Sequence, residues 1–236
     1  TADYISSQFM GFQPVFQFDV GTEMPPQYYW HIVILGVILG IMGAFYNKMT
    51  MWVQGLYLKS KKLNETTRLF IPFFLAGVLG LVMPQILGSG HALIDMAAEG
   101  NLMLTSLLIL FAAKFLFSLI CFGSGAPGGI FFPLLILGAL IGAVFAMAGV
   151  EFFGLAPVYV NNFVLLGMTG FFTAIVRAPL TGIILLFEMS GSISQMLSLS
   201  IVSVTAYIVA TLMRSEPIYD SLLKRILKAD TIVHDK

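Results

Sequence analysis

Gly123-Ser124-Gly125-Ala126-Pro127-Gly128-Gly129-Ile130-Phe131-Phe132-Pro133 stands between two apolar runs, 102–122 and 130–150. Four of its first seven residues are glycine, and each glycine costs a helix about 1 kcal/mol relative to alanine. The first run must therefore stop near Phe122, and a new helix must begin near Ile130, inside the apolar region. The first N–H groups of that helix have no intrahelical partner and carry the positive end of its dipole, while Gly128 and Gly129 present no side chain to block approach. Such a place stabilises an anion. The loop holds no Lys or Arg, so backbone dipoles alone would bind it, weakly and exchangeably, as transit requires. The same glycines also suit plain close packing of membrane helices, and spacing alone leaves both readings open.

The flanking chain says what kind of protein carries this loop. Of 236 residues, 58% are hydrophobic and 10% charged, against about 25% charged in an average soluble domain. With mean hydropathy at +0.93, lipid must cover much of the surface, and the fold class expected is an all-α membrane protein. Twelve Lys plus Arg balance twelve Asp plus Glu, which leaves no basic field and sets nucleic acid aside as a partner. The lone Cys121 builds neither a disulfide nor a thiolate metal site, and His91 has no second histidine or placed carboxylate, so no metal is expected. No nucleophile, base and orienter share a meaningful spacing and no phosphate loop occurs, so the chain is not read as an enzyme, and no catalytic residue or cofactor is assigned.

About 20 helical residues cross the hydrocarbon core. The runs 28–58, 69–87, 102–122, 130–150 and 193–213 reach or approach that length, with only Lys48 and Lys114 charged inside them. Two shorter runs, 163–176 and 180–189, are separated by Arg177-Ala178-Pro179. Pro179 removes a donor and biases Ala178 away from the helical region, which predicts two short helices meeting inside the bilayer. Non-helical backbone at that depth is tolerated where protein or a water-filled cavity satisfies it, as in transporters with broken helices. Lys59, Lys61, Lys62 and Arg68, and later Arg214, Lys224, Arg225, Lys228 and Lys236, place two regions on the cytoplasmic side; Asp19, Glu23 and Glu151 fall opposite. Pro217 is expected to start an amphipathic helix over 218–228, with Ile218, Leu222 and Ile226 inward and Lys224, Arg225 and Lys228 toward solvent, before a frayed end. The chain opens on Thr1 with no basic segment ahead of a short apolar core, and 1–12 reads as the tail of a helix continuing from a longer protein.

At the glycine loop the chain resembles the CLC family of chloride channels and proton-coupled chloride transporters. Gly129-Ile130-Phe131-Phe132-Pro133 is similar to the Gly-x-Phe-x-Pro signature of the family's second half, and the resemblance continues through Val176-Arg177-Ala178-Pro179-Leu180-Thr181-Gly182, Leu186-Phe187-Glu188-Met189 and Pro217-Ile218-Tyr219. It implies one repeat of an inverted-repeat transporter fold with re-entrant helices, a homodimer, and one ion pathway per subunit. The division implied is 1–27 as the end of a preceding helix and an extracellular linker, 28–213 as the second transmembrane repeat, and 214–236 as a closing helix and tail. The resemblance also implies that the N–H groups of Ile130 and Phe131 and the hydroxyl of Tyr219 face a central anion, with Gly128 and Gly129 giving access and Pro133 and Arg177 in support. The family's serine loop and gating-glutamate segment have no counterpart here, so half the pathway and the glutamates of proton coupling are expected outside this sequence. The function implied is transport of chloride and similar small anions, by proton-coupled antiport, with chloride, protons and membrane lipid as partners and a prokaryotic plasma membrane as the location. A passive channel and a non-transporting membrane scaffold are the competing readings.

Three residues carry two readings each. Without the resemblance, Tyr219 is an interfacial anchor. Arg177 is expected to cap the C-terminal carbonyls of its own helix and so hold the break in place, ahead of any ion contact. Lys114 either biases the field along an anion path or sits in a buried ion pair or a wet crevice.

Overall fold

The computed structural model describes residues 24–60, 63–88, 90–100, 102–126 and 128–234. Among them the chain forms nine α-helices and no strand. A 3-10 turn, Pro26–Tyr28, leads into α1, Tyr29–Lys59; proline suits the opening of a helix because the N–H it lacks would be unpaired there. Next come α2, Glu65–Val82, α3, His91–Ala98, α4, Leu104–Gly123, and α5, Phe131–Phe153. A 3-10 turn, Pro157–Tyr159, opens α6, Val160–Val176, which breaks before α7, Pro179–Ser190. Last are α8, Met196–Leu212, and α9, Ile218–His234.

α6 is the axis of the fold. Every residue from 162 to 175 is buried, enclosed by α5, α1, α8 and α7. A Cβ on Gly138 of α5 would stand 2.5 Å from the carbonyl oxygen of Gly167 on α6, and one on Gly142 would collide with the carbonyl of Phe163. Lipid offers no hydrophobic drive between helices, so close backbone approach and the dispersion it brings are what hold this pair together. Buried hydroxyls and amides stitch the rest. Thr173 and Ser203 join α6 to α8 at 2.8 Å, and the Asn47 amide of α1 donates to the carbonyls of Ile175 at 3.2 Å and Glu216 at 3.1 Å.

Among the described residues, five segments are long and apolar enough to cross a membrane: Pro26–Lys59, Leu104–Gly123, Phe131–Phe153, Pro157–Val176 and Ile193–Leu212. Two of these boundaries correct the sequence expectation. The apolar run 69–87 yields a helix that stops at Val82, because Pro84 opens a separate 3-10 turn, and α2 falls short of a span. Conversely, the helix before Arg177 is no short piece. It begins at Val160, led in by Pro157, and the polar pair Asn161-Asn162 had masked its start.

The end of the chain departs from expectation in two further ways. α9 runs to His234, past the expected stop at Lys228. Arg225 turns toward α1 instead of solvent, donating to the Met51 carbonyl at 2.6 Å and to Gln54 Oε1 at 3.0 Å, which ties α9 to the side of α1. Lys224 is exposed and pairs with Glu216 at 2.7 Å. The helix expected over 1–12 lies outside the described residues.

Candidate anion site

The glycine segment forms the turn its composition demands. α4 ends at Gly123, and Gly125 adopts φ 79, a left-handed backbone open to glycine at little cost. Ser124 pins the turn from within: its hydroxyl donates to the Cys121 carbonyl at 2.7 Å and accepts the N–H of Ala126 at 3.2 Å. Local side-chain bonds of this kind stand in for the helix ladder where it stops. Gly128 and Gly129 are exposed, and a Cβ on either would meet nothing within 4 Å.

α5 then starts at Phe131, and its first main-chain bond runs from the N–H of Leu134 to the carbonyl of Ile130 at 3.2 Å. The N–H groups of Ile130, Phe131 and Phe132 lie ahead of that bond, where intrahelical acceptors do not reach. Pro133 has no N–H to leave unpaired, and its fixed φ suits a first turn. The Phe131 ring is committed elsewhere, edge-on to Phe172 of α6 with centroids 5.6 Å apart. The ring therefore anchors the first turn while the backbone stays open toward the loop. This arrangement can hold an anion by N–H groups and dipole.

Two cavities flank the loop. One, of about 200 Å³, is lined by Tyr46 and Thr50 of α1, by Gly128 and Ile130, and by Ile218 and Leu222 of α9. The other, of about 220 Å³, is lined by Lys114, Ser118 and Cys121 of α4 and by Gly128, Gly129 and Pro133. The hydroxyls of Tyr46 and Ser118 share a 2.7 Å hydrogen bond between them.

The expected residues are not all gathered in one lining. Gly128 and Ile130 meet α9 through Ile218, which is 2% exposed. Tyr219, the next residue, is 50% exposed and lines neither cavity.

Arg177 holds the helix break, but at a different helix from the one expected. Its own φ of 67 closes α6, with its N–H bonded to the Thr173 carbonyl at 2.9 Å. The guanidinium reaches across to α8. It donates to the carbonyls of Tyr207 at 3.0 Å, Ser215 at 2.6 Å and Ala210, and to the Thr211 hydroxyl, and lies 5.5 Å from the Tyr207 ring centroid. The left-handed turn points the side chain away from the end of its own helix, so it caps the neighbour's negative dipole end.

Lys114 is buried and makes no ion pair with any described residue; its ammonium donates to the Ile86 carbonyl at 2.6 Å. Glu188, Asp95 and Glu99 are all exposed. Among the described residues, no group of three or more His, Cys, Asp or Glu side chains could hold a metal. Sequence reasoning missed Tyr46, Asn47 and Ser118. Their one signal is a polar atom on an otherwise apolar helix, which does not reveal its partner.

An all-α membrane protein with a broken helix and a glycine-led helix start beside two cavities has the architecture found in many transporters. Residues 1–211 match the family model described as voltage gated chloride channel, and the chain belongs to that family. It is 38% identical over 206 residues to the H(+)/Cl(-) exchange transporter ClcA of Vibrio parahaemolyticus, across 86% of this chain and 44% of that protein. With the ClcA of Yersinia pestis it shares 33% over 230 residues, across 96% of this chain and 48% of the other. The crystal structure of a slow cyanobacterial Cl-/H+ antiporter superposes with a TM-score of 0.87 at 28% identity, over 96% of this chain and 53% of that one. A eukaryotic CLC transporter, at 21% identity and a TM-score of 0.71 over 85% of this chain and 35% of that one, shares the fold. The chain spans about half the length of the curated relatives it matches.

Proposed function

We propose that this chain supplies about half of the pathway of a bacterial proton-coupled chloride exchanger, as its C-terminal repeat and closing helix. The observation that carries the reading is the start of α5, where three N–H groups lie ahead of the first helical bond and two side-chain-free glycines leave the approach open. Chloride is the expected substrate because a site of neutral donors holds a monovalent anion weakly enough to release it. The backbone of Ile130 and Phe131, reached past Gly128 and Gly129, donates to the ion. Tyr219 adds its hydroxyl from α9, and Pro133 and Arg177 keep the two helix ends in place. Exchange with protons draws support from the ClcA relatives and from the cyanobacterial antiporter, whose names carry both ions. The glutamates that would carry the proton are sought outside these 236 residues.

The full-length protein in liposomes tests both parts. An outward chloride gradient should release chloride and drive protons uphill in the opposite direction. Chloride release without proton pumping would mark a passive channel, and no release at neutral or acidic pH would leave a membrane scaffold.

A further inference from the structure

Asn47 of α1 is 5% exposed, and its amide bonds two segments that lie far from it in the chain. The Ile175 carbonyl, in the last turn of α6, accepts from it at 3.2 Å. In a continuing helix the donor to that carbonyl would be the N–H of residue 179, but Pro179 has none. Asn47 thus supplies the donor that the break takes away. The Glu216 carbonyl accepts from the same nitrogen at 3.1 Å and the Ser215 hydroxyl at 3.3 Å. Glu216 stands one residue ahead of Pro217, whose carbonyl takes the Ser221 N–H at 3.1 Å as the ladder of α9 begins. Three acceptors around one nitrogen also fix which end of the amide faces them.

The fixed φ of Pro217 makes the direction of the first turn of α9 depend on where Glu216 is held. That turn brings Ile218 to the cavity of about 200 Å³ beside Gly128 and Ile130, and Tyr219 follows it. Tyr46, next to Asn47, lines the same cavity from α1. Arg177 donates to the Ser215 carbonyl at 2.6 Å, so a second side chain holds this turn. Further along, Arg225 ties α9 to Met51 and Gln54. The helix as a whole therefore keeps its place without Asn47, whereas its first turn does not.

We propose that Asn47 is a positioning residue of the anion site: its amide fixes the end of α6 and the residue ahead of Pro217 to one point on α1, and so sets where Ile218 and Tyr219 stand relative to the start of α5. It touches no ion itself. The proposal rests on the transport reading for the ion that is served, but not for the placement of α9.

Two variants of the full-length protein test it: Asn47→Leu, of similar size and without a donor, and Asn47→Gln, which carries the amide one methylene further out. In Asn47→Leu, amide hydrogen exchange should quicken about five- to tenfold in peptides covering 218–222 while α5 and the rest of α6 exchange as before. Chloride affinity, titrated by calorimetry, should weaken by about the same factor, and Asn47→Gln should recover part of both. Exchange at 218–222 that does not change, or that quickens no more than in α5 and α6, overturns the proposal and leaves Asn47 a plain stability contact. Chloride bound as tightly by Asn47→Leu as by a chloride-binding unaltered protein overturns it too. A crystal structure of the unaltered full-length protein with the Asn47 amide away from the Glu216 carbonyl does the same, and that result needs no variant to fold. The two proposals fail separately. An unaltered protein that neither binds nor carries chloride sinks the transport reading, while quickened exchange confined to 218–222 still supports the placement of α9 by Asn47.

Discussion

Tyr219 is where a single atom tests the proposed site. Tyr219→Phe removes one hydrogen bond to a charged group, worth about 1.5 to 3 kcal/mol, so chloride affinity of the full-length protein should fall by about one to two decades while the fold survives. Calorimetric titration measures it, and binding as tight as in the unaltered protein returns Tyr219 to the role of interfacial anchor. The loop behaves differently in the same titration. Gly129→Val should abolish binding by filling the approach that is now open to at least 4 Å. Phe131→Ala keeps its backbone donor and loses the edge-on contact with Phe172, so it should cost stability more than affinity. Outside the spans, Lys224 bonds Glu216 and holds its carboxyl below the usual carboxylate range. Stabilisation from that pair is present above the usual range and fades as pH falls through the lowered value. Lys224→Met should move the titration of Glu216, followed by carboxyl NMR, back up toward the ordinary range.

Arg177 acts between elements. Its guanidinium gathers three carbonyls and a hydroxyl from the end of α8 and the turn beyond. Arg177→Gln should therefore cost about 3 kcal/mol of stability and loosen the α8–α9 turn, and Arg177→Lys should recover only part, because an ammonium lacks the planar fork. Thermal unfolding in detergent checks the order: unaltered protein, then Lys, then Gln. Should Gln melt with the unaltered protein, the cap carries no load. The α5–α6 pair has the opposite chemistry, with no polar bond required. Gly138→Leu places a side chain where the Gly167 carbonyl and the Met168 Cα stand 2.5 Å and 2.8 Å from a Cβ position, and it should prevent the two helices from seating.

For the whole molecule, the homodimer that the family resemblance implies would need free apolar faces, and α7 and α8 carry candidates. Of the apolar residues available there by sequence, Ile183 and Leu186 are buried within the chain, whereas Ile184 and Val204 are 51% and 48% exposed. A two-fold dimer of the full-length protein through these faces would place like residues near the symmetry axis. Cysteines introduced at Val204 should then crosslink copies in membranes, and crosslinking that yields only monomer there and at Ile184 counts against this interface.

How far the sequence reached can be read from particular residues. The glycine loop, the break at Arg177-Ala178-Pro179 and the membrane class were legible because glycine, proline and long apolar runs act on the chain locally, whatever surrounds them. The ends of α2 and α6 were misjudged where hydropathy and helix boundaries part company, at Pro84 and at Asn161-Asn162. Family likeness followed from the order of short motifs, and 38% identity over 206 residues to an exchanger agrees with it. Only the tertiary structure decided that Arg177 caps α8, that Arg225 reaches α1, that Tyr46 meets Ser118 across 72 positions, and that the buried Lys114 borders a cavity. These are contacts between helices distant in sequence. A side chain's partner depends on how the helices cross and rotate, which in lipid is set by close packing of small residues and buried polar atoms that leave no periodic trace in the sequence.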